Sequence, residues 1–165
     1  MKSILISIEP KYCELIASGK KTIEVRKSAP KEVPFKAYIY ETKGATEMPW
    51  VDEDGHFIYK GRGQVIGEFI CDKVYNIEPI FSFYDCYSGY DDSSDSSYFE
   101  DYSIDSERLK KTCLTRQELY IYGKDKTLYG WHISNLKIYD KPLLLSELGV
   151  TRPPQSYMFV EEVEQ

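Results

Sequence analysis

Five stretches of this chain alternate apolar and polar residues with a period of two, and only short segments between them suit helices. They are residues 3–8, 22–27, 36–42, 64–75 and 128–139, each carrying Ile, Val, Tyr, Phe or Trp. Such side chains fit a pleated, half-buried surface, and alternation sends successive ones to opposite faces. No strand–helix–strand rhythm recurs, which argues against a doubly wound parallel sheet. The pattern predicts an α+β, mainly β fold: a small mixed or antiparallel β-barrel with two or three peripheral helices. Residues 64–75 are long enough to bend around such a barrel. At 165 residues the chain suits one domain spanning 1–165, with a real core.

Three helical signals accompany the strands. Residues 10–18 place apolar side chains at helical spacing behind Pro10, which needs no N–H in a first turn, and Gly19 suits the C-terminus. Thr115 and Glu118 form a capping box ahead of a helix at 116–122, closed by Gly123. A last turn is expected at 146–148.

The junction after the first helix is the densest chemical feature. Lys21, Thr22, Glu24 and Arg26 crowd beside Gly19 at the start of a strand. Ile23 and Val25 point one way there, and Thr22, Glu24 and Arg26 the other. Lys21 reads either as a surface charge or as a cation at a cleft mouth, holding a phosphate or carbonyl oxygen. Glu24 and Arg26 read either as a structural ion pair or as part of a binding site.

From Ile8 to Arg26 the chain resembles the opening of an ASCH domain, whose Gly-x-Lys-x-x-x-x-Arg signature is met by Gly19, Lys21 and Arg26. Val65-Ile66-Gly67-Glu68-Phe69 resembles the family's middle strand. The segments 128–136 and 152–157 resemble the late strand and closing segment of a phage and bacterial branch. The resemblance implies a PUA-like barrel with a cleft where the first helix meets it. In the branch that hydrolyses acylated cytidines, the catalytic set matches Lys21 and Glu68, but its Thr position holds Glu24. A carboxylate there replaces an ester intermediate with a mixed anhydride, which undermines that mechanism.

The resemblance therefore leaves three functions open. The first is a binding domain for RNA, a nucleotide or a nucleoside, with Lys21, Arg26, Trp50 and Trp131 contacting the ligand. In this reading Lys21→Ala weakens binding with little loss of stability. The second is a metal-independent hydrolase of RNA or of N4-acylated cytidine, with Lys21, Glu24 and Glu68 catalytic. The third is a protein-interaction module working through residues 89–106. His132, opposite Trp131 on its strand, reads as a structural residue.

Charge and cysteines set outer bounds. The net charge of −6 argues against indiscriminate nucleic-acid binding. Yet residues 81–107 hold eight acidic groups and no Lys or Arg, leaving 19 acidic against 21 basic elsewhere. Cys13, Cys71, Cys86 and Cys113 show no metal-binding spacing, so neither metal nor other cofactor is expected. Free thiols, no secretion signal and no apolar run of about 18 residues point to a cytoplasmic chain off the membrane. Two insertions are expected, at 44–63 as a hairpin extension or long loop, and at 88–106 as a solvated Ser-, Asp- and Tyr-rich loop.

Overall fold

A computed structural model describes residues 2–44, 50–51, 57–58, 61–83 and 97–162. In chain order the elements are β1 (Lys2–Ile8), α1 (Pro10–Ala17), β2 (Ile23–Arg26), β3 (Phe35–Glu41), β4 (Trp50–Val51), β5 (Phe57–Ile58), β6 (Gln64–Cys71), β7 (Val74–Ile77), β8 (Pro79–Phe83), β9 (Ser97–Tyr102), α2 (Ser106–Thr112), α3 (Arg116–Gly123), β10 (Leu128–His132), β11 (Ser134–Leu143) and β12 (Tyr157–Val160). A 3₁₀ turn covers Leu145–Leu148. No helix among the described residues is long and apolar enough to cross a membrane.

The α+β, mainly β class is as expected, but the ladders among the described residues form no closed barrel. The larger sheet runs β11-β6-β3-β1-β12, and a separate one runs β2-β10-β7. In the larger sheet β1 and β3 are parallel and the other pairs antiparallel. Two long expected strands divide between these sheets. Residues 64–75 break at Asp72-Lys73 into β6 and β7, and residues 128–139 break at Ile133 into β10 and β11. Asn135, with φ of 48°, supports the second bend, since Asn tolerates the left-handed region. The breaks meet: His132 N–H donates to Lys73 O at 2.9 Å. Both strands thus turn the same corner from one sheet into the other.

The main core lies on one face of the larger sheet. Ile4, Ile6, Ile8, Phe35, Ala37, Ile39 and Phe69 pack there with Cys13 and Ile16 of α1 and with Trp131 of the smaller sheet. The opposite face carries Leu5, Tyr38, Tyr40, Val65 and Tyr139, covered by Leu148 and Val150. A third cluster joins Val25, Ile77 and Leu128 to Tyr102 and to Leu119 of α3. The β3–β6 register shifts between Ile39 and Tyr40, so Val65 and Phe69 belong to different cores although strict alternation puts them on one face.

The first insertion holds the hairpin pairing that was one of its two expectations, and the second differs from expectation in its second half. Within 44–63, Trp50–Val51 pairs with Phe57–Ile58. Within 88–106, Ser97–Tyr102 is a strand paired with β8, and Tyr102 is buried with its hydroxyl donating to Lys126 O at 2.7 Å. The aromatic content outweighs the Ser and Asp there. Residues 84–96 lie outside the described residues.

Candidate functional site

The helix–strand junction folds as a buried ion chain. After α1, Gly19 takes φ of 74°, a conformation that only glycine adopts freely, and the backbone swings inward. Lys21 N–H then donates to Leu15 O, and Thr22 N–H to Lys111 O, clamping the junction between α1 and α2. Lys21 is only 1% exposed. Its Nζ donates to Thr112 O at 2.6 Å and Ile23 O at 3.0 Å. It also lies 3.2 Å from Glu24 Oε2 and 5.2 Å from the centre of the Tyr12 ring. Lys21 is therefore not at a cleft mouth. Its ammonium is committed to the end of α2, to β2 and to Glu24.

Arg26 is committed as well. Its Nη1 donates to Ser7 O at 3.0 Å and lies 3.4 Å from Glu24 Oε1, while Nη2 donates to Ser156 O at 2.7 Å and Ser156 Oγ at 3.2 Å. The guanidinium fork joins the end of β1 to the segment before β12 instead of presenting itself to a phosphate. Ser7 Oγ adds a hydrogen bond to Pro154 O at 2.6 Å.

Glu24 sits between the two cations. Cross-strand partners share a face, so Glu24 lies beside Trp131 and Arg26 beside Tyr129, all turned toward the main core. Three buried atoms in this group have no hydrogen-bond partner among the described residues: Glu24 Oε2, Arg26 Nε and Trp131 Nε1. Lys21 Nζ is within ion-pair distance of that Glu24 oxygen but is not aligned to donate to it. Aromatic rings border the group. Trp131 meets Phe35 and Tyr157 edge-on, at 5.1 and 5.4 Å between ring centres. The Tyr12 hydroxyl is pushed up to about 12, first by burial and then by the carboxylates of Glu118, Glu9 and Glu24.

Lys21, Glu24, Arg26 and Trp131 thus come together, whereas Glu68 lies elsewhere. Glu68 shares its face with Tyr38 and Tyr139, on the side of the larger sheet away from α1 and Trp131. It accepts a 2.6 Å hydrogen bond from the Tyr139 hydroxyl and lies 3.9 Å from Lys36 Nζ. Tyr139 is pushed up, first by burial and then by Glu68. The Trp50 side chain lies outside the described residues. Tyr12 and Ser156 join the cluster without having been singled out; both stand in motif segments, but nothing in their spacing reveals the contact. No group of His, Cys, Asp and Glu suited to a metal ion occurs among the described residues.

A family model described as the ASCH domain matches residues 6–113, well over half the chain. The chain belongs to the ASCH domain family. The match takes in the Lys21–Glu24–Arg26 chain, Glu68 and α2. Solved structures agree on the fold. A crystal structure of an ASCH protein from Zymomonas mobilis superposes with a TM-score of 0.60 at 18% identity, covering 98% of this chain and 89% of that one. A Tyr-to-Phe variant of that protein gives 0.60 at 18% identity, over 98% of this chain and 92% of that one. Its Ser-to-Ala variant gives 0.59 at 18% identity, over 98% and 89%. Comparison with curated protein sequences returns no match.

Proposed function

We propose that this ASCH domain binds RNA or a nucleotide through the inward face of β2 and β10, with the Lys21–Glu24–Arg26 chain as a rigid support. The observation that carries the reading is the trio of buried atoms in that chain with no hydrogen-bond partner among the described residues. Buried polar atoms are nearly always paired, so two donors without an acceptor, beside a Glu24 oxygen met only by the Lys21 ion pair, call for a partner. Glu24 Oε2 is an acceptor, and Arg26 Nε and Trp131 Nε1 are donors. Cytosine offers the complement on one edge, an amino donor next to acceptor nitrogen and oxygen atoms. Tyr12, half-buried above Lys21, is placed to stack on an entering base.

In this proposal Glu24 and Trp131 contact the ligand after the Tyr12 and Tyr157 rings move aside, because Trp131 is fully buried in the free protein, while Lys21 and most of Arg26 hold them in place. Titration of the protein with cytidine, with N4-acetylcytidine and with a single-stranded ribo-oligonucleotide tests it. Binding that falls at least tenfold in Glu24→Gln and in Trp131→Phe supports the reading. Unchanged affinity in both variants contradicts it.

Hydrolysis of an N4-acylated cytidine is the second reading, favoured by the burial of Glu24 against Lys21 at the family's signature. It lacks two groups of the template, because Glu24 stands at the Thr position and Glu68 faces Tyr139 instead. Appearance of cytidine and free acid from N4-acetylcytidine, lost in Glu24→Gln, would establish it. The interaction role proposed for residues 89–106 is tested separately, by deleting them and assaying partner capture.

A further inference from the structure

The segment that leads into β12 crosses the rim of the Lys21–Glu24–Arg26 cluster and fastens to it. It starts at Val150, which is buried in the second core just after Gly149 with φ of 69°. Thr151, Arg152, Pro153 and Gln155 are exposed and Pro154 is half-buried. No helix or strand includes residues 151–156. Pro153 and Pro154 fix their own φ and keep Arg152 out of the helical region, so the stretch is stiff for its lack of regular structure.

Its fastenings gather at the far end. Ser7 Oγ donates to Pro154 O at 2.6 Å, and Ser7 N–H donates to Ser156 O at 3.3 Å. Arg26 Nη2 donates to Ser156 O at 2.7 Å and to Ser156 Oγ at 3.2 Å. The next side chain, Tyr157, meets Trp131 edge-on at 5.4 Å. Beyond it, β12 has four residues and pairs with β1 alone among the described residues, and its Phe159 is 58% exposed. A short element with few buried contacts and exposed backbone bonds opens more readily than the strands inside a sheet.

The segment therefore lies on two groups that the proposed function gives to a ligand, Arg26 and Trp131. The oxygens that it brings to the guanidinium, from Ser156, are uncharged. Guanidinium binds anionic oxygens more strongly than carbonyl or hydroxyl ones, and takes a phosphate in its fork. A phosphate arriving with a ligand thus has the advantage over Ser156. Ser156 and Tyr157 are consecutive, so release of the first draws the second away from Trp131. The indole N–H, a buried donor without an acceptor among the described residues, is then uncovered.

We propose that residues 151–157 form an autoinhibitory strap over the site. Closed, Ser156 fills the Arg26 fork in place of a ligand phosphate and Tyr157 seals Trp131. Open, both groups face the ligand. The strap rests on the proposed function for the identity of the groups that it covers, and adds how a ligand reaches them. The apparent dissociation constant is the intrinsic one divided by the open fraction. Loosening the strap should therefore tighten binding, the opposite of what loss of a merely structural contact does.

The test removes fastenings that the proposed ligand does not touch. Ser7→Ala deletes the hydroxyl bond to Pro154 O, and Pro154→Gly softens the strap. Both are made in a Trp50→Phe background, which leaves Trp131 as the sole tryptophan. Acrylamide quenching of Trp131 fluorescence reads opening without ligand. Titration with cytidine 5′-monophosphate and with a single-stranded ribo-oligonucleotide reads binding. Both variants should be quenched more strongly, and Ser7→Ala should bind about fivefold more tightly, as expected for one hydrogen bond. Unchanged or weaker binding by both variants, with wild-type binding still lost in Glu24→Gln, overturns the strap and leaves the proposed function standing. No binding of either probe, by the wild type or by either loosened variant, overturns both.

Discussion

Replacing Lys21 by Met roughly keeps the length of the side chain and removes its charge and all three of its N–H donors. In the wild-type protein the ammonium serves Thr112 O, Ile23 O and Glu24, at 2.6, 3.0 and 3.2 Å, with 1% of Lys21 exposed. The variant leaves a buried carboxylate with Arg26 alone and two carbonyls without that donor. Breaking a buried ion pair from one side costs about 3–5 kcal/mol, and an unsatisfied carbonyl costs further. We expect a loss of about 4 kcal/mol, near 8–16 °C in Tm for a chain of this size. This departs from the little loss that a surface lysine implies. Urea denaturation of Lys21→Met, Glu24→Leu and the double variant gives the coupling. The double variant should recover most of the loss, because an apolar pair replaces an ionic one at little cost. A loss below about 1 kcal/mol in Lys21→Met would refute the reasoning, since no buried cation here would then need its partners.

Three further outcomes follow from individual contacts. Tyr139→Phe removes the 2.6 Å hydrogen bond to Glu68 and should cost about 1–3 kcal/mol by denaturation, with nucleoside affinity unchanged. Glu118 is held below the ordinary carboxylate range, chiefly by the Thr115 N–H, so its contribution is present above that range and disappears as pH falls through its lowered value. Glu118→Gln should accordingly flatten the acid side of a stability–pH profile. Cys13 is buried and its thiol pushed up, and Cys71 is pushed up to about 12, both first by burial. Alkylation of the native protein followed by peptide mapping should modify half-buried Cys113 before either, and equal rates would contradict this.

The strands and two helices were legible because their signals are local. Alternation marks β1 and β3, and the Thr115–Glu118 capping box appears with both of its hydrogen bonds. The sheet organisation was not, because it depends on the corner at Asp72-Lys73 and Ile133, where continuous alternation conceals a change of sheet. The short helix α2, beyond the expected loop at 88–106, was given no assignment, although Asp105 caps it by accepting from Arg108 N–H. At the site, Lys21, Glu24 and Arg26 were visible as a run of charges. Their roles were not, since the partners Ser7, Thr112 and Ser156 are distant in sequence. Alternation does put Glu68 on the face opposite Phe69, as found; the bulge displaces Val65 instead, and periodicity cannot locate a bulge. His132 was read as structural, and only folding brings Asp72 beside it.

In the proposed function, the family's charged signature is a buried support that offers Glu24, Arg26 and Trp131 to a base. The indole N–H resonance of Trp131 reports on it directly, with Trp50, the other of the two tryptophans, as internal reference. Titration of isotope-labelled protein with cytidine should shift the Trp131 signal, and Glu24→Gln should abolish the shift without moving the signal of the free protein far. A Trp131 resonance that stays fixed while nucleoside or RNA binds would contradict the account.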